Sequence, residues 1–229
     1  ADPVFRQRFR REARAMAQLN HPNLVNVYDF GSDGDHLYLI MELITGGTRR
    51  ELLAERGPMP PHAAAAVLRS VLTGLSVAHA SGLVHRDIKP DNVLINGDHR
   101  VKLADFGLVR AAAAASTTSQ IVGTAAYLSP EQVDGSDITP ASDVYSAGIV
   151  LFELLTGTTP FSGDTPLDHA YRRLEDDVPA PSSHIDGVPP LVDALVSYAT
   201  SRDPQDRFSD AADFLAPLDA LAAELEPPS

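Results

Sequence analysis

Eight residues near the middle of the chain, His85-Arg86-Asp87-Ile88-Lys89-Pro90-Asp91-Asn92, constrain its fold more than any other segment. An apolar pattern with helical spacing over 61–80 runs up to them, and Val93-Leu94-Ile95 directly behind them reads as a short strand. Pro90 keeps a helix from continuing through the segment, so it is a loop held at both ends by regular structure. Asp-Phe-Gly follows at 105–107 after the strand-like Val101-Lys102-Leu103, and Ser129-Pro130-Glu131 comes later. An Asp-Asn loop standing alone would be an ordinary turn. Five fixed letters at the spacing of the first motif, however, arise by chance in a chain of 229 residues with a probability on the order of 10⁻⁴ by a uniform twenty-letter estimate. The polar groups of the loop therefore call for a chemical explanation.

The rest of the chain supplies the frame. Phe5, Phe9, Ala13, Met16 and Leu19 recur at three- and four-residue spacings, which predicts an amphipathic helix over 3–19 ended by His21-Pro22. Two apolar runs, 24–30 and 37–43, predict strands joined by the turn Gly-Ser-Asp-Gly-Asp. Helices are expected over 48–56, 61–80, 142–156, 165–174, 189–200 and 209–225. The run 144–155 has few polar interruptions on any face, so it is expected to be buried on all sides. No segment is expected to be long and apolar enough to cross a bilayer. The chain has no cysteine, which excludes disulfides and thiolate metal sites and fits a reducing compartment. Against 18 basic residues stand 31 acidic ones, and a net charge of -13 repels nucleic acid, which is not an expected partner.

In that order the three motifs resemble the signatures of the eukaryotic-type protein kinase family, and Lys89 within HRDIKPDN matches its serine/threonine version. The stretches QLNHPNLVNVYDFG, GLVHRDIKPDN and VGTAAYLSPEQ are most similar to the bacterial, actinobacterial receptor-like kinases. The resemblance implies an α+β, protein-kinase-like two-lobed fold. Residues 1–43 would be a truncated remnant of the small β-containing lobe, and 44–229 the hinge and a mainly α-helical large lobe. It implies transfer of the γ-phosphate of ATP, with Mg2+, to Ser or Thr of protein substrates, in the cytoplasm or on the cytoplasmic part of a membrane-anchored kinase.

Phosphoryl transfer needs the hydroxyl oriented, the metal held and the charge on the moving group neutralised. By the resemblance Asp87 accepts or orients the hydroxyl proton, Lys89 brings a mobile positive charge to the γ-phosphate, and Asn92 and Asp105 are oxygen ligands for magnesium. Thr124 hydrogen-bonds Asp87 and Lys89. Met41, Glu42 and Ile44 belong to a hinge whose backbone binds the adenine edge, with Leu94 under the ring. Glu131 and Arg207 form a buried ion pair. Asp143 either caps the helix it begins or holds the His85-Arg86 backbone. His85 reads as a core ring beside Phe106 rather than as a base.

Arg86 ahead of Asp87 implies control by phosphate on the loop between Asp-Phe-Gly and Ser-Pro-Glu. There Ser116-Thr117-Thr118-Ser119 offers four hydroxyls within reach of Arg86 and Arg110, Thr118 first and Thr117 next. The bland alternative is a solvated loop tip. The family places a Gly-rich loop and a lysine-bearing strand ahead of the first helix, and neither lies between Ala1 and that helix. Glu12 shares the face of Phe5, Phe9 and Met16, so its carboxylate is expected to point inward. Its partner is then that lysine, or, as the local alternative, Arg8 one turn earlier. The apolar edge 37–41 is expected to favour self-association, including for trans-autophosphorylation. Two other classes compete. The chain is either a kinase domain in the catalytic sense, or a catalytically inactive fragment or pseudokinase that binds proteins, or a small-molecule phosphotransferase. Intact Asp87, Asn92 and Asp105 favour catalysis, while Lys89 and the Gly-Thr to Ser-Pro-Glu segment disfavour a small-molecule substrate.

Overall fold

The computed structural model describes residues 3–104, 106 and 125–225. Along the chain they form α1 (Pro3–Gln18), an antiparallel hairpin of β1 (Val27–Asp33) and β2 (His36–Met41), α2 (Arg49–Arg56), α3 (Pro61–Ala80), and a second antiparallel pair, β3 (Val93–Ile95) and β4 (Val101–Leu103). There follow α4 (Pro130–Asp134), α5 (Pro140–Thr156), α6 (Pro166–Glu175), α7 (Pro190–Ala199) and α8 (Ala211–Leu225). Local chemistry sets these starts. Thr48 with Glu51, and Ser129 with Gln132, form reciprocal capping boxes at α2 and α4. Proline opens α3, α4, α5, α6 and α7, where its missing N–H leaves no bond unmade. Periodicity gives no sign of α4, because five residues are too few to show one; its capping box is the local signal.

Helix α5 is the axis of the larger part. Every residue from Ala141 to Leu155 is buried, and α3, α7 and α8 pack around it. Burying each Leu, Ile or Phe of this run contributes roughly 1.5–3 kcal/mol. Helix α3 overturns one expectation. At 20 residues it is long and apolar enough, by length and composition, to cross a bilayer. Nine of its residues are buried, and it packs on α5 and α8, so its apolar surface is that of a core helix.

The hairpin's turn is shorter than the five residues expected. Only Gly34-Asp35 turn, with Gly34 at φ 57, and the ladder runs out to Asp33 opposite His36. A two-residue turn with positive φ suits the strand twist, so Gly31 to Asp33 pair along a solvated edge. Residues 23–25 tie the hairpin to the helical part. The N–H of Leu103 donates to Asn23 O at 2.8 Å, that of Val25 to Leu103 O at 3.0 Å, and Asn23 Nδ2 to Val101 O at 2.9 Å. Gly74 of α3 allows this approach, since a Cβ there would stand 2.7 Å from Asn23 O.

A buried ion pair joins α4 to the loop ahead of α8. Arg207 grips Glu131 with two guanidinium nitrogens at 2.6 and 2.9 Å, and it also donates to the carbonyls of Ala141, Ser201 and Arg202. Its plane lies over the Tyr145 ring. Burial pushes the Glu131 carboxyl up, yet the hydrogen bonds and charge of Arg207 outweigh it and hold the pKa below the ordinary 4.5. Removing one partner strands a buried charge, so Arg207→Ala is expected to cost about 3–5 kcal/mol, measured by urea unfolding at neutral pH. A folded pKa below the unfolded one adds stability above pH 4.5 that is lost as pH falls. The gap between wild type and Glu131→Gln should therefore narrow below pH 4.5; a gap that widens there contradicts the assignment.

Candidate active site

The loop over 85–92 is built around one carboxylate from α5. Asp143, 1% exposed, accepts from the backbone N–H of His85 at 2.7 Å and of Arg86 at 2.8 Å. The helix is capped by Thr139 instead, which leaves the Asp143 side chain to the loop and removes the capping alternative. Arg86 has a φ of 70, a left-handed conformation that costs a residue with a Cβ about 1–3 kcal/mol. The two bonds to Asp143 and a third, from Gln132 Nε2 to Arg86 O at 3.1 Å, hold it there.

His85 is fully buried and uses both ring nitrogens. Nε2 lies 2.7 Å from Ala104 O and therefore carries the proton, while Nδ1 accepts from the Asp87 N–H at 3.1 Å. No nitrogen remains to act as a base. Its ring packs 4.5 Å from that of Phe106. One imidazole thus connects Asp87 to the residue that precedes Asp105. Asn92 closes the same circuit. Its backbone O accepts from Ala104 N–H at 2.9 Å, and its Nδ2 donates to Asp87 O at 2.7 Å and to the Asp87 carboxylate at 3.1 Å. With the amide nitrogen committed, the amide oxygen turns the other way. Lys89 Nζ stands 3.7 Å from the Asp87 carboxylate, and both side chains keep some exposure, 20% and 16%.

His79 was not singled out from sequence, where it is only a histidine in the last turn of an apolar helix. Its Nε2 donates to Asp143 at 2.8 Å and its Nδ1 accepts from Ala211 N–H at 3.1 Å. An orphan N–H at the start of α8 is satisfied by the imidazole that also pairs with the carboxylate shaping the loop. A second set of unforeseen residues supports 125–128. Arg173, with no exposed surface, donates to the carbonyls of Ala126, Leu128, His169 and Ala170, and Ser146 Oγ donates to Tyr127 O at 2.6 Å. Tyr127 Oη donates to Glu153 at 2.5 Å and accepts from Arg50, which also pairs with Glu153 at 2.5 Å and Asp91 at 3.4 Å. Burial and the charge of Glu153 push the Tyr127 hydroxyl far up, so it stays a neutral donor.

The residues expected to form a hinge lie at the end of β2 and just beyond it. Met41 pairs with Val27 and shares a small apolar cavity with Met16, Leu103 and Phe106. The Glu42 side chain accepts from Lys102 Nζ at 3.0 Å and from Asn26 N–H at 3.2 Å, and its backbone N–H donates to Asn26 O at 2.8 Å, so its backbone carbonyl is the group left for a ligand. Burial raises the Glu42 pKa, but Lys102 and Asn26 together bring it below the ordinary value. Ile44 is half-buried, and half-buried Leu94 pairs with Lys102 across the β3–β4 ladder. Gly46 lets the following chain close on β3, where a Cβ would overlap Ile95 O at 1.9 Å. Glu12 meets the local alternative: its carboxylate accepts from Arg8 Nε at 3.0 Å one turn earlier on its own helix, with a quarter of the side chain exposed. A partner one turn away costs no long-range ordering. Asp105, Arg110, Thr117, Thr118 and Thr124 lie outside the described residues.

The comparisons agree with one another. The serine/threonine-protein kinase PknL of Mycobacterium tuberculosis is 62% identical over 229 residues, covering 99% of this chain and 57% of the relative. PknB of Mycobacterium leprae is 42% identical over 224 residues, covering 95% of this chain and 36% of the relative. The chain thus spans about half or less of the length of these relatives. Among solved structures, a Rad53 fragment in complex with AMP-PNP superposes with a TM-score of 0.72 at 30% identity, covering 90% of this chain and 53% of that one. A family model described as the protein kinase domain matches residues 1–217. With that match and those identities behind the loop geometry, the chain belongs to the protein kinase family.

Proposed function

We propose that this protein moves the γ-phosphoryl group of ATP to serine or threonine hydroxyls of protein substrates, with Asp87 orienting the attacking hydroxyl. The observation that carries the reading is the Asp87 carboxylate, which keeps 16% of its side chain exposed while Asn92 at 3.1 Å and Lys89 at 3.7 Å fix its direction. A carboxylate so placed can take the hydroxyl proton as the new P–O bond forms and the bond from the γ-phosphorus to the β,γ-bridging oxygen breaks to release ADP, and Lys89 can follow the charge on the transferring group. The similarity to a kinase solved with AMP-PNP supports ATP as the nucleotide. Magnesium neutralises phosphate charge when bound. Hard oxygen donors suit it, and the Asn92 amide oxygen, turned from Asp87, and the Asp105 carboxylate would hold it. Leu94 and the backbone of Met41, Glu42 and Ile44 would contact adenine. Thr124 would bond Asp87 and Lys89. On this reading residues 1–43 belong to the small lobe and 44–229 to the hinge and large lobe, and the chemistry takes place in the cytoplasm.

Regulation would act through phosphate on Thr118 or Thr117 facing Arg86 and Arg110, whose guanidinium groups match a dianionic phosphate. Self-association would use the outer edge of β2, where Tyr38 and Ile40 are 43% and 50% exposed.

Two measurements test this. The purified protein with radiolabelled Mg-ATP and a generic protein substrate should transfer label to Ser or Thr. Asp87→Asn should lower kcat by about 10²–10⁴ with nucleotide affinity retained; transfer that is absent in wild type or equal in the two proteins contradicts the proposal. Mass spectrometry of the autophosphorylated protein should find phosphate on Thr118 or Thr117, and a loop free of phosphate in active protein would sink the regulatory part.

A further inference from the structure

A second concavity, of about 650 Å³, shares no residue with the catalytic loop. It lies between α2, the first half of α3 and the turn from β3 to β4. Its shape follows from helix spacing. Arg49, Leu52 and Arg56 fall three and seven residues apart on one face of α2, and Ala63 and Ala66 line the facing wall of α3. Methyl groups on that wall leave space that longer side chains would fill. Leu52, Met59 and Val67 make the groove apolar along its length.

Its charge runs against the rest of the molecule. On a chain of net charge -13, three arginines line the groove, Arg49, Arg56 and Arg100, against the single carboxylate of Asp98. None of the three pairs with a carboxylate among the described residues, although Arg50, adjacent to Arg49, pairs with two. Arg49 Nε is buried and has no hydrogen-bond partner. A buried N–H left unmade costs about 1–3 kcal/mol, which an arriving acceptor would relieve. Burial also lowers the Arg49 pKa, the signature of a guanidinium withdrawn from water without a compensating anion.

We propose that this groove is a docking site for an acidic peptide segment of a partner protein, with its carboxylates on the three arginines and an aliphatic or prolyl side chain over Leu52, Met59 and Val67. A small inorganic anion would satisfy the arginines and leave the apolar length uncovered, whereas a peptide carrying both characters satisfies both. The inference does not depend on phosphoryl transfer.

Fluorescence anisotropy tests it on the intact protein, with a labelled Asp-Glu-Leu-Pro-Leu-Asp-Glu peptide as probe and its Asn/Gln counterpart as control. The acidic peptide should bind and weaken with added salt, and the amide peptide should bind far less. Arg49→Gln combined with Arg56→Gln should weaken the acidic peptide roughly tenfold or more. Ala66→Phe, at an exposed position of α3, should block the groove with all arginines in place; circular dichroism and thermal melts confirm that both variants fold. No binding of the acidic peptide up to about 1 mM, equal binding to wild type and either variant, or equal binding of the two peptides overturns the proposal. So does full displacement by inorganic phosphate together with binding unaffected by Ala66→Phe, which would mark a simple anion site.

Discussion

Asp143 carries a charge with almost no access to water, and such a charge is tolerated only where donors surround it. Its donors are the N–H groups of His85 and Arg86 and the ring of His79. Much of the large helical part follows from satisfying it. The loop must turn its backbone down toward α5, which sets the positive φ of Arg86. His79 must sit at the end of α3 and is then free to take the first N–H of α8. Helix α3 and the loop thus meet α5 at one side chain, with α8 joined through His79, and α5 can bring the carboxylate there because the helix is buried on every face.

Above this rigid base the reactive groups keep their openness. Asp87 and Lys89 retain exposed surface, whereas the groups that hold them, both ring nitrogens of His85 and the amide nitrogen of Asn92, belong to buried side chains and are engaged. The same division recurs at 125–128. Backbone carbonyls there are gripped from below by Arg173 and Ser146, and the Tyr127 ring is fixed by Glu153 and Arg50. Local strain at Arg86 is offset by a buried polar network. That is the usual place for a fold to store strain, since the surroundings determine the conformation and hold it.

Much of this was legible in the sequence because it is written locally. The 61–80 helix, the buried run over 144–155 and the loop between helix and strand all follow from periodicity, proline positions and motif spacing. What escaped depends on groups far apart in the chain. His79 meets Asp143 across 64 positions and Ala211 across 132, and no spacing rule reports either. Arg173 carries no local signal of burial because arginine is rarely buried without a carboxylate, yet its guanidinium donates to four carbonyl oxygens and lies over the Phe161 ring. For Glu12 the spacing left two partners open, and the pair formed is the local one with Arg8, one turn away.

The account stands on the claim that the Asp143 carboxylate holds the loop bearing Asp87, and amide hydrogen exchange followed by NMR at single residues reads this directly. In wild type the N–H groups of His85 and Arg86 should be strongly protected. In Asp143→Asn, where a donor replaces one acceptor oxygen, the loss of charge-assisted bonds worth about 1.5–3 kcal/mol should speed their exchange roughly 10- to 100-fold. The amides of Ile149 and Leu151 inside α5 should stay protected. Unchanged protection of His85 and Arg86 in the variant, with α5 intact, would contradict the account.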